Sequence, residues 1–496
     1  MANLSERERI SHLLRRFGFG ATQPDLDIYL PLGYEGALSK LLDWKDEPDL
    51  GYPTQFAFHW EKGKDAEPGG YRMRLHWILQ MLVTQTPLRE KLALFWHDHF
   101  ACSEEDVGHG IAMLEYMKDL RTDPAGKFED VLTRMSKNVA VMRQLNVEML
   151  SRATPNENFA RELLELYTLG EGNYTESDIK EIARALTGWA HHDVFWRLGK
   201  THSERLNHMI RHDTPGLFFI HAPAVHIEGK KTVLGRSVES PEDVLDLLAH
   251  HPQTARYICT KLWEFFAYMK PEKPVIDRLS KTFVAKDGDI REVLREMTRM
   301  PEFWSERCVL RQVKNPTEYV VGICRAQNVR ERLLKDVKPD AKANDHMPQK
   351  LFEQLGAAMY WISETGQNIF FPPSVAGWDW GQGWVSTYYL MRRKQVTGIF
   401  TYYPETKDGK TEWYPDEPTL YVVEQIKKRQ PQSPEAIVNA LCFIYDCQLT
   451  AEQQEVVLKQ VEKMGGVNAL KNDRHLAWVS TECLKLLASA PEFHLC

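Results

Sequence analysis

Fifteen residues, NENFARELLELYTLG (156–170), constrain this chain more than any other stretch. Laid on a helix at about 100° per residue, Asn158, Arg161, Glu162 and Glu165 fall within one narrow arc. Phe159, Ala160, Leu163, Leu164, Leu166 and Tyr167 take most of the remaining circumference. An ordinary surface helix has the opposite balance, a polar back and one apolar stripe. The pattern therefore predicts a helix buried on most sides, its polar stripe facing a cavity, a partner helix or a slot to solvent. Buried carboxylates are costly unless paired, and Arg161 stands one turn from Glu165, within pairing reach. Asp178 and Glu181 add two carboxylates on the next helix. Such a stripe is either a reactive lining or an Arg–Glu lattice that locks helices together.

The rest of the chain reads as a mainly α-helical, bundle-like body with a small β-hairpin inserted near 217–234. Helical period recurs at 5–16, 70–86, 87–101, 111–121 and 127–136, and again from Ser240, where Ser-Pro-Glu-Asp supplies a cap and a first-turn proline. Thr22 with Asp25 resembles a capping pair. Residues 190–239 differ in character. Seven of the 18 histidines (191, 192, 202, 208, 212, 221, 226) lie there, with many aromatics and little helical period. Three regions result: 1–189, 190–239 and 240–496, together one body. Irregular stretches are expected at 47–70, at the charged excursion Lys335–Lys350 and at the polar loop Tyr403–Pro418. Met300-Pro301-Glu302-Phe303 is echoed by Ala490-Pro491-Glu492-Phe493.

Two other places carry chemistry. On the helix that begins at Pro87, Leu88, Leu92, Phe95, Trp96 and His99 share a face and His97 points nearly opposite, so His99 is the inward histidine. Joined to Glu162 and Glu165 it makes a one-His, two-carboxylate set able to hold a divalent metal. His191-His192-Asp193 ranks below it, because adjacent residues seldom converge on one ion. The loop GQNIFFPPSVAGWDWGQGW (366–384) gathers Trp378, Trp380 and Trp384 where Gly and Pro prevent regular structure. Tryptophans in such number are not left in water, so the loop plugs the core or walls a binding pocket with Trp378 and Trp384.

Several of these motifs, HLLRRFGFGAT (12–22), LFWHDHFA (94–101), NENFARELLELYTLG, YTESDIKEIARALTGW (174–189), KTVLG (231–235), Asn-Pro-Thr-Glu (315–318) and the 366–384 loop, resemble those of a bacterial family known only as the domain of unknown function numbered 1800. That resemblance spans nearly the whole chain and brings no established activity. It implies that His226 belongs to a family turn, although the acidic position is displaced here to Glu228. Many relatives look exported through twin-arginine signals. Here Arg15-Arg16 runs into Phe17-Gly18-Phe19-Gly20, part of the family's folded motif, so the pair is read as fold rather than signal. Relatives are commonly encoded beside a group similar to alkaline-phosphatase-like or sulfatase-like enzymes.

Composition sets the outer bounds. A net charge of −7 and a pI near 6.2 leave no basic face for nucleic acid or anionic lipid. No apolar run reaches the roughly 20 residues of a membrane span, and the start lacks the apolar core of a secretory signal. Eight scattered cysteines without a Cys-x-x-Cys pair read as reduced thiols in a cytoplasmic protein. Phosphate-loop, dinucleotide, Gly-x-Ser-x-Gly and Glu-x-x-His signatures are missing. Two functions remain. One is an enzyme using Arg161, Glu162 and Glu165, with Asn158, as an acid–base or metal site on a small substrate. The other is a non-catalytic binding or assembly partner of the phosphatase/sulfatase-like protein.

Overall fold

The helix at the centre of the body is Pro87–His99, and every residue of it but Arg89 is buried. Pro87 opens it, where the missing N–H costs nothing, and apolar neighbours then cover it on all sides. Its charges survive burial because each is answered. Glu90 accepts from Arg121 at 2.8 Å and from the Trp77 indole at 2.9 Å. Lys91 meets Glu318 at 2.7 Å and donates to the Arg15 and Gly18 carbonyls, both at 2.9 Å. Five charged or imidazole side chains on one helix, Glu90, Lys91, His97, Asp98 and His99, look like a surface helix in sequence. Here they are the inner bolts.

The computed structural model describes residues 4–44, 70–147, 155–193, 217–336, 349–407 and 410–496. Around the central helix pack Glu6–Phe17, Gly70–Val83, Gly110–Arg121, Pro252–Phe266 and Pro316–Ala326. One continuous apolar cluster runs from Ile10 to Phe493. The protein is mainly α-helical, and strands among the described residues occur only as short antiparallel pairs. The expected irregular stretch at 47–70, His202, His208 and His212 fall outside the described residues, as does all but the ends of the Lys335–Lys350 excursion.

The β element is larger than the single hairpin expected at 217–234. β2 (Leu217–His221) pairs with β1 (Trp189–Asp193), Trp189 opposite His221. β3 (Lys231–Val233) pairs with β4 (Arg236–Val238). The turn between them is Leu234-Gly235, both at positive φ (48° and 74°). Two consecutive positive φ values give the turn twist that antiparallel strands favour, and Asp178 fixes it by accepting the Leu234 N–H at 2.7 Å. A third pair, β5 (Tyr402–Lys407) with β6 (Lys410–Pro415), stands where a polar loop was expected. Thr411, Trp413 and Tyr414, residue types that favour strands, lie within its second strand.

Arg15 and Arg16 are both folded in. Arg15 holds Asp446 through two hydrogen bonds of 2.7 and 2.6 Å, and Arg16 reaches Gln312 and the Cys308 carbonyl. Gln312 in turn exchanges backbone hydrogen bonds with Cys496. The first helix is thus tied to segments near residues 310, 446 and 496. The two Pro-Glu-Phe echoes are the same device. Each forms a 3-10 turn, Pro301–Trp304 and Pro491–His494, that drops a phenylalanine into the core after a helix. All eight cysteines are free. No helix among the described residues is long and apolar enough to cross a membrane.

Candidate functional site

The Glu157–Glu165 helix, capped by Asn156, buries Phe159, Ala160, Leu163 and Leu164 on one face. This corrects the expectation of a helix enclosed on most sides. The helix ends at Glu165, where the Leu166 and Tyr167 N–H groups both fold back onto the Glu162 carbonyl, so those two side chains leave the helical arc. Its polar stripe lies at the surface. Asn158 is exposed, and Arg161, Glu162 and Glu165 are half-buried. Arg161 does not pair with Glu165. It grips Glu176 on the following helix at 3.0 Å, while Glu165 accepts the Tyr174 hydroxyl. Burial and the neighbouring Glu165 charge hold the Glu162 carboxyl above its ordinary value.

His99 is buried, as expected, and so is His97, which was expected to point away. The helix has core on both flanks, which its sequence period alone does not show. The Phe370 N–H donates to His97 Nε2 at 3.0 Å, so Nδ1 carries the proton and donates to the Tyr116 hydroxyl at 2.8 Å. Burial pushes His97 down to about 3. His99 Nε2 lies 3.1 Å from the Tyr167 carbonyl and must donate to it, leaving Nδ1 as an acceptor without a protein partner. Burial likewise holds His99 far below the ordinary range, and the Lys261 charge adds to the effect. His99, Glu162 and Glu165 do not gather as a ligand set. Among the described residues, the trio whose ligand atoms lie within 4.8 Å of one another is Glu129, Asp246 and His250, at the surface. His226, half-buried beside Lys231, donates through Nδ1 to the Thr187 carbonyl at 2.7 Å and belongs to the β region.

Between the two histidines, Asp98 anchors the tryptophan loop. One carboxylate oxygen accepts the Trp378 N–H and the other the Trp380 indole N–H, both at 2.8 Å. Gly377, at φ +85°, makes this approach possible, since a Cβ there would stand 2.3 Å from Asp98 Oδ1. Phe370 and Trp378 plug the core against His97, with Trp378 ring-to-ring at 5.2 Å. Trp384 is buried too, edge-on to Trp380 at 5.8 Å. Trp380 stays half-buried and packs on Phe265 at 4.7 Å. The loop is thus a plug with one tryptophan near the surface.

Facing that tryptophan, the Pro252–Phe266 helix presents Tyr257, Lys261 and Phe265 at spacings of four. Tyr257 links the two halves of the site. Its hydroxyl donates to the Leu166 carbonyl at 3.2 Å, and burial together with the charges of Asp98 and Glu165 pushes it up to about 12. Lys261 is half-buried, and burial lowers its amine below the ordinary value against the pull of Asp98 and Glu264. Among the described residues neither carboxylate forms an ion pair with it, and its amine lies 5.8 Å from the centre of the Tyr257 ring. Burial raises the Asp98 carboxyl, with Lys261 acting the other way. Sequence reading missed Lys261, Tyr257 and Asp98. The i, i+4 spacing of tyrosine and lysine was visible, but nothing marked that face as the one meeting the loop.

No curated protein and no solved structure matches the chain. A family model described as a protein of unknown function does match, over residues 12–495, which takes in the second half of the first helix, the central helix, the stripe, Asn315–Glu318 and the tryptophan loop. The chain belongs to that family, DUF1800.

Proposed function

We propose that this protein is an enzyme that performs acid–base chemistry on a small neutral substrate where the Pro252–Phe266 helix lies between Leu166, just past the Glu157–Glu165 helix, and the tryptophan loop. The observation that carries this reading is Lys261, a half-buried amine beside the Tyr257 ring that has no ion pair among the described residues and whose pKa burial lowers against the pull of Asp98 and Glu264. A lowered amine pKa favours the neutral form that acts as base or nucleophile. Glu162, whose carboxyl is raised, supplies the complementary acid at the rim. Arg161 and Glu165 hold that rim through Glu176 and Tyr174, and Asn158 lies outside it. A divalent ion at Glu162 and Glu165 is the metal form of the same reading, and metal analysis of the purified protein tests it.

Turnover of a panel of small esters, amides and carbonyl compounds tests the enzymatic reading. Lys261→Met and Glu162→Gln should each lower the rate by about a hundredfold or more while the circular dichroism spectrum is unchanged. Equal rates in native protein and both variants would defeat it.

The assembly reading has its own support. Tyr360, Val385, Tyr388 and Met391 are exposed together around the Gln349–Glu364 and Thr387–Arg393 helices, and Arg392 braces them through the Tyr360 hydroxyl at 2.6 Å. Exposed aromatic groups of this kind are typical of protein-binding surfaces. Co-purification with a phosphatase/sulfatase-like partner, lost on Tyr388→Ser with Met391→Ser, tests that alternative.

A further inference from the structure

Away from the tryptophan loop, an open groove of about 480 Å³ runs between the β3–β4 hairpin and the Pro241–Ala249 helix, lined by Arg236, Asp243, Asp246, His250 and His251 among others. Two of its wall residues belong to a second arrangement. Asp246 and His250 stand one turn apart at the end of that helix, where His250 is the C-cap residue. Glu129, in the first turn of the Phe128–Ser136 helix, faces them. The ligand atoms of these three side chains lie within 4.8 Å of one another, close enough to share one ion. Both ring nitrogens of His250 meet carboxylates. Nδ1 is 3.0 Å from Asp246 Oδ1, and Nε2 is 3.0 Å from Asp287 Oδ1 and 3.9 Å from Glu129 Oε2.

The elements that carry these groups are fixed to one another. Lys137, just past the Phe128–Ser136 helix, pairs with Glu242 on the Pro241–Ala249 helix at 3.0 Å. The Phe128 N–H donates to the Gly288 carbonyl at 3.0 Å, which ties the turn bearing Asp287 to the start of the same helix. Charge is left over at the centre of the arrangement. Asp287 is paired with Lys127 at 2.5 Å. Among the described residues Glu129 and Asp246 have no lysine or arginine partner, and His250 alone is set against both. Two carboxylates converging on one imidazole are stabilised by a cation placed between them.

We propose that Glu129, Asp246 and His250 bind a divalent first-row transition ion of the zinc type, with its remaining coordination position open to the groove. One imidazole with two carboxylates suits zinc, iron or manganese, where calcium takes six or more oxygen ligands. Three protein ligands with a position left for water is the arrangement of reactive rather than purely structural zinc. Asp287 supplies the outer carboxylate that orients a ligating imidazole, and its ion pair with Lys127 holds it in that place. These residues are separate from Glu162 and Glu165, so the two metal readings stand or fall apart.

The test is zinc titration of the full chain after treatment with a chelator and its removal. Zinc chloride is titrated calorimetrically into native protein, His250→Gln, Asp246→Asn and Glu162→Gln, with circular dichroism as the control on folding. Native protein and Glu162→Gln should take up one zinc ion alike. His250→Gln and Asp246→Asn should each bind it at least about tenfold more weakly, the lower end of what even an outer-carboxylate change costs a metal site, with spectra unchanged. Excess calcium should not displace the zinc. No uptake by native protein, or uptake equal in all the proteins, overturns the proposal, and so does tighter binding of calcium than of zinc. Uptake lost in Glu162→Gln and kept in His250→Gln also overturns it, and moves the ion to the stripe.

Discussion

A single hydrogen atom at Gly377 decides whether the tryptophan loop can reach Asp98. Its φ of +85° asks for glycine on backbone grounds alone, and a methyl group there would also collide with both the side chain and the carbonyl of Asp98. Gly172 is the matched control, with φ +79° and nothing within 4 Å of the added atom. Gly172→Ala should cost about 1 kcal/mol, the backbone contribution by itself. Gly377→Ala should cost clearly more, because the loop must back away from Asp98 and expose Trp378. Urea unfolding of the two variants measures the difference, and equal costs would mean that the close approach is not real. Trp378→Ala should lose about 3–5 kcal/mol, as expected for a tryptophan removed from a packed core, because its ring fills space beside His97 and Phe370.

At the scale of the element, the two helices that caught attention in the sequence exchange roles. The Glu157–Glu165 stripe is half-exposed, and its arginine is satisfied by Glu176. Glu165→Gln should therefore change stability by under about 1 kcal/mol, the usual scale of exposed pairs. Lys91→Met leaves Glu318 buried without its cation and should cost about 3–5 kcal/mol. Denaturation curves of the two variants separate a surface stripe from an inner bolt. Helix positions, caps and the mainly α class were legible because period and capping are local. Ser240, Thr22 and Pro87 act where their spacing says they should. The central helix was not legible, since burial of Glu90, Lys91 and Asp98 depends on Arg121, Glu318 and the loop, which lie 31, 227 and 280 residues away. The third strand pair was missed for a related reason. Its sequence, Tyr-Tyr-Pro-Glu-Thr-Lys and then Lys-Thr-Glu-Trp-Tyr-Pro, lacks the strict apolar–polar alternation that marks a strand. Of the candidate site, the loop and His99 were visible singly. The face that brings Tyr257 and Lys261 to them was not, because an i, i+4 pair on an amphipathic helix does not say which neighbour it meets.

For the whole molecule, the neutral core histidines set an acid limit. His97 stays unprotonated in the folded state down to about 3, against an ordinary value of 6.5, and His99 is held down in the same sense. The unfolded chain binds these protons at higher pH than the folded one. The His97 contribution to stability is therefore complete above pH 6.5 and is lost as the pH falls from there toward 3, at about 1.4 kcal/mol per pH unit, and His99 acts in the same sense. Urea midpoints at pH 7, 6, 5 and 4 should fall progressively. His97→Gln, less stable at pH 7, should show a shallower fall, and parallel profiles for the two proteins would contradict the assignment.

The attachment of the first helix to residues near 310, 446 and 496 has a consequence in time. A ribosome adds roughly 5–20 residues per second, so Arg15 waits for Asp446, 431 positions later, for roughly 20 to 90 s at that pace. Phe17, whose ring meets Phe266 and Phe303, spends much of that interval without those partners. A nascent chain in this state needs shelter from chaperones, and rapid overexpression will outrun that supply before any defect of the finished fold is felt.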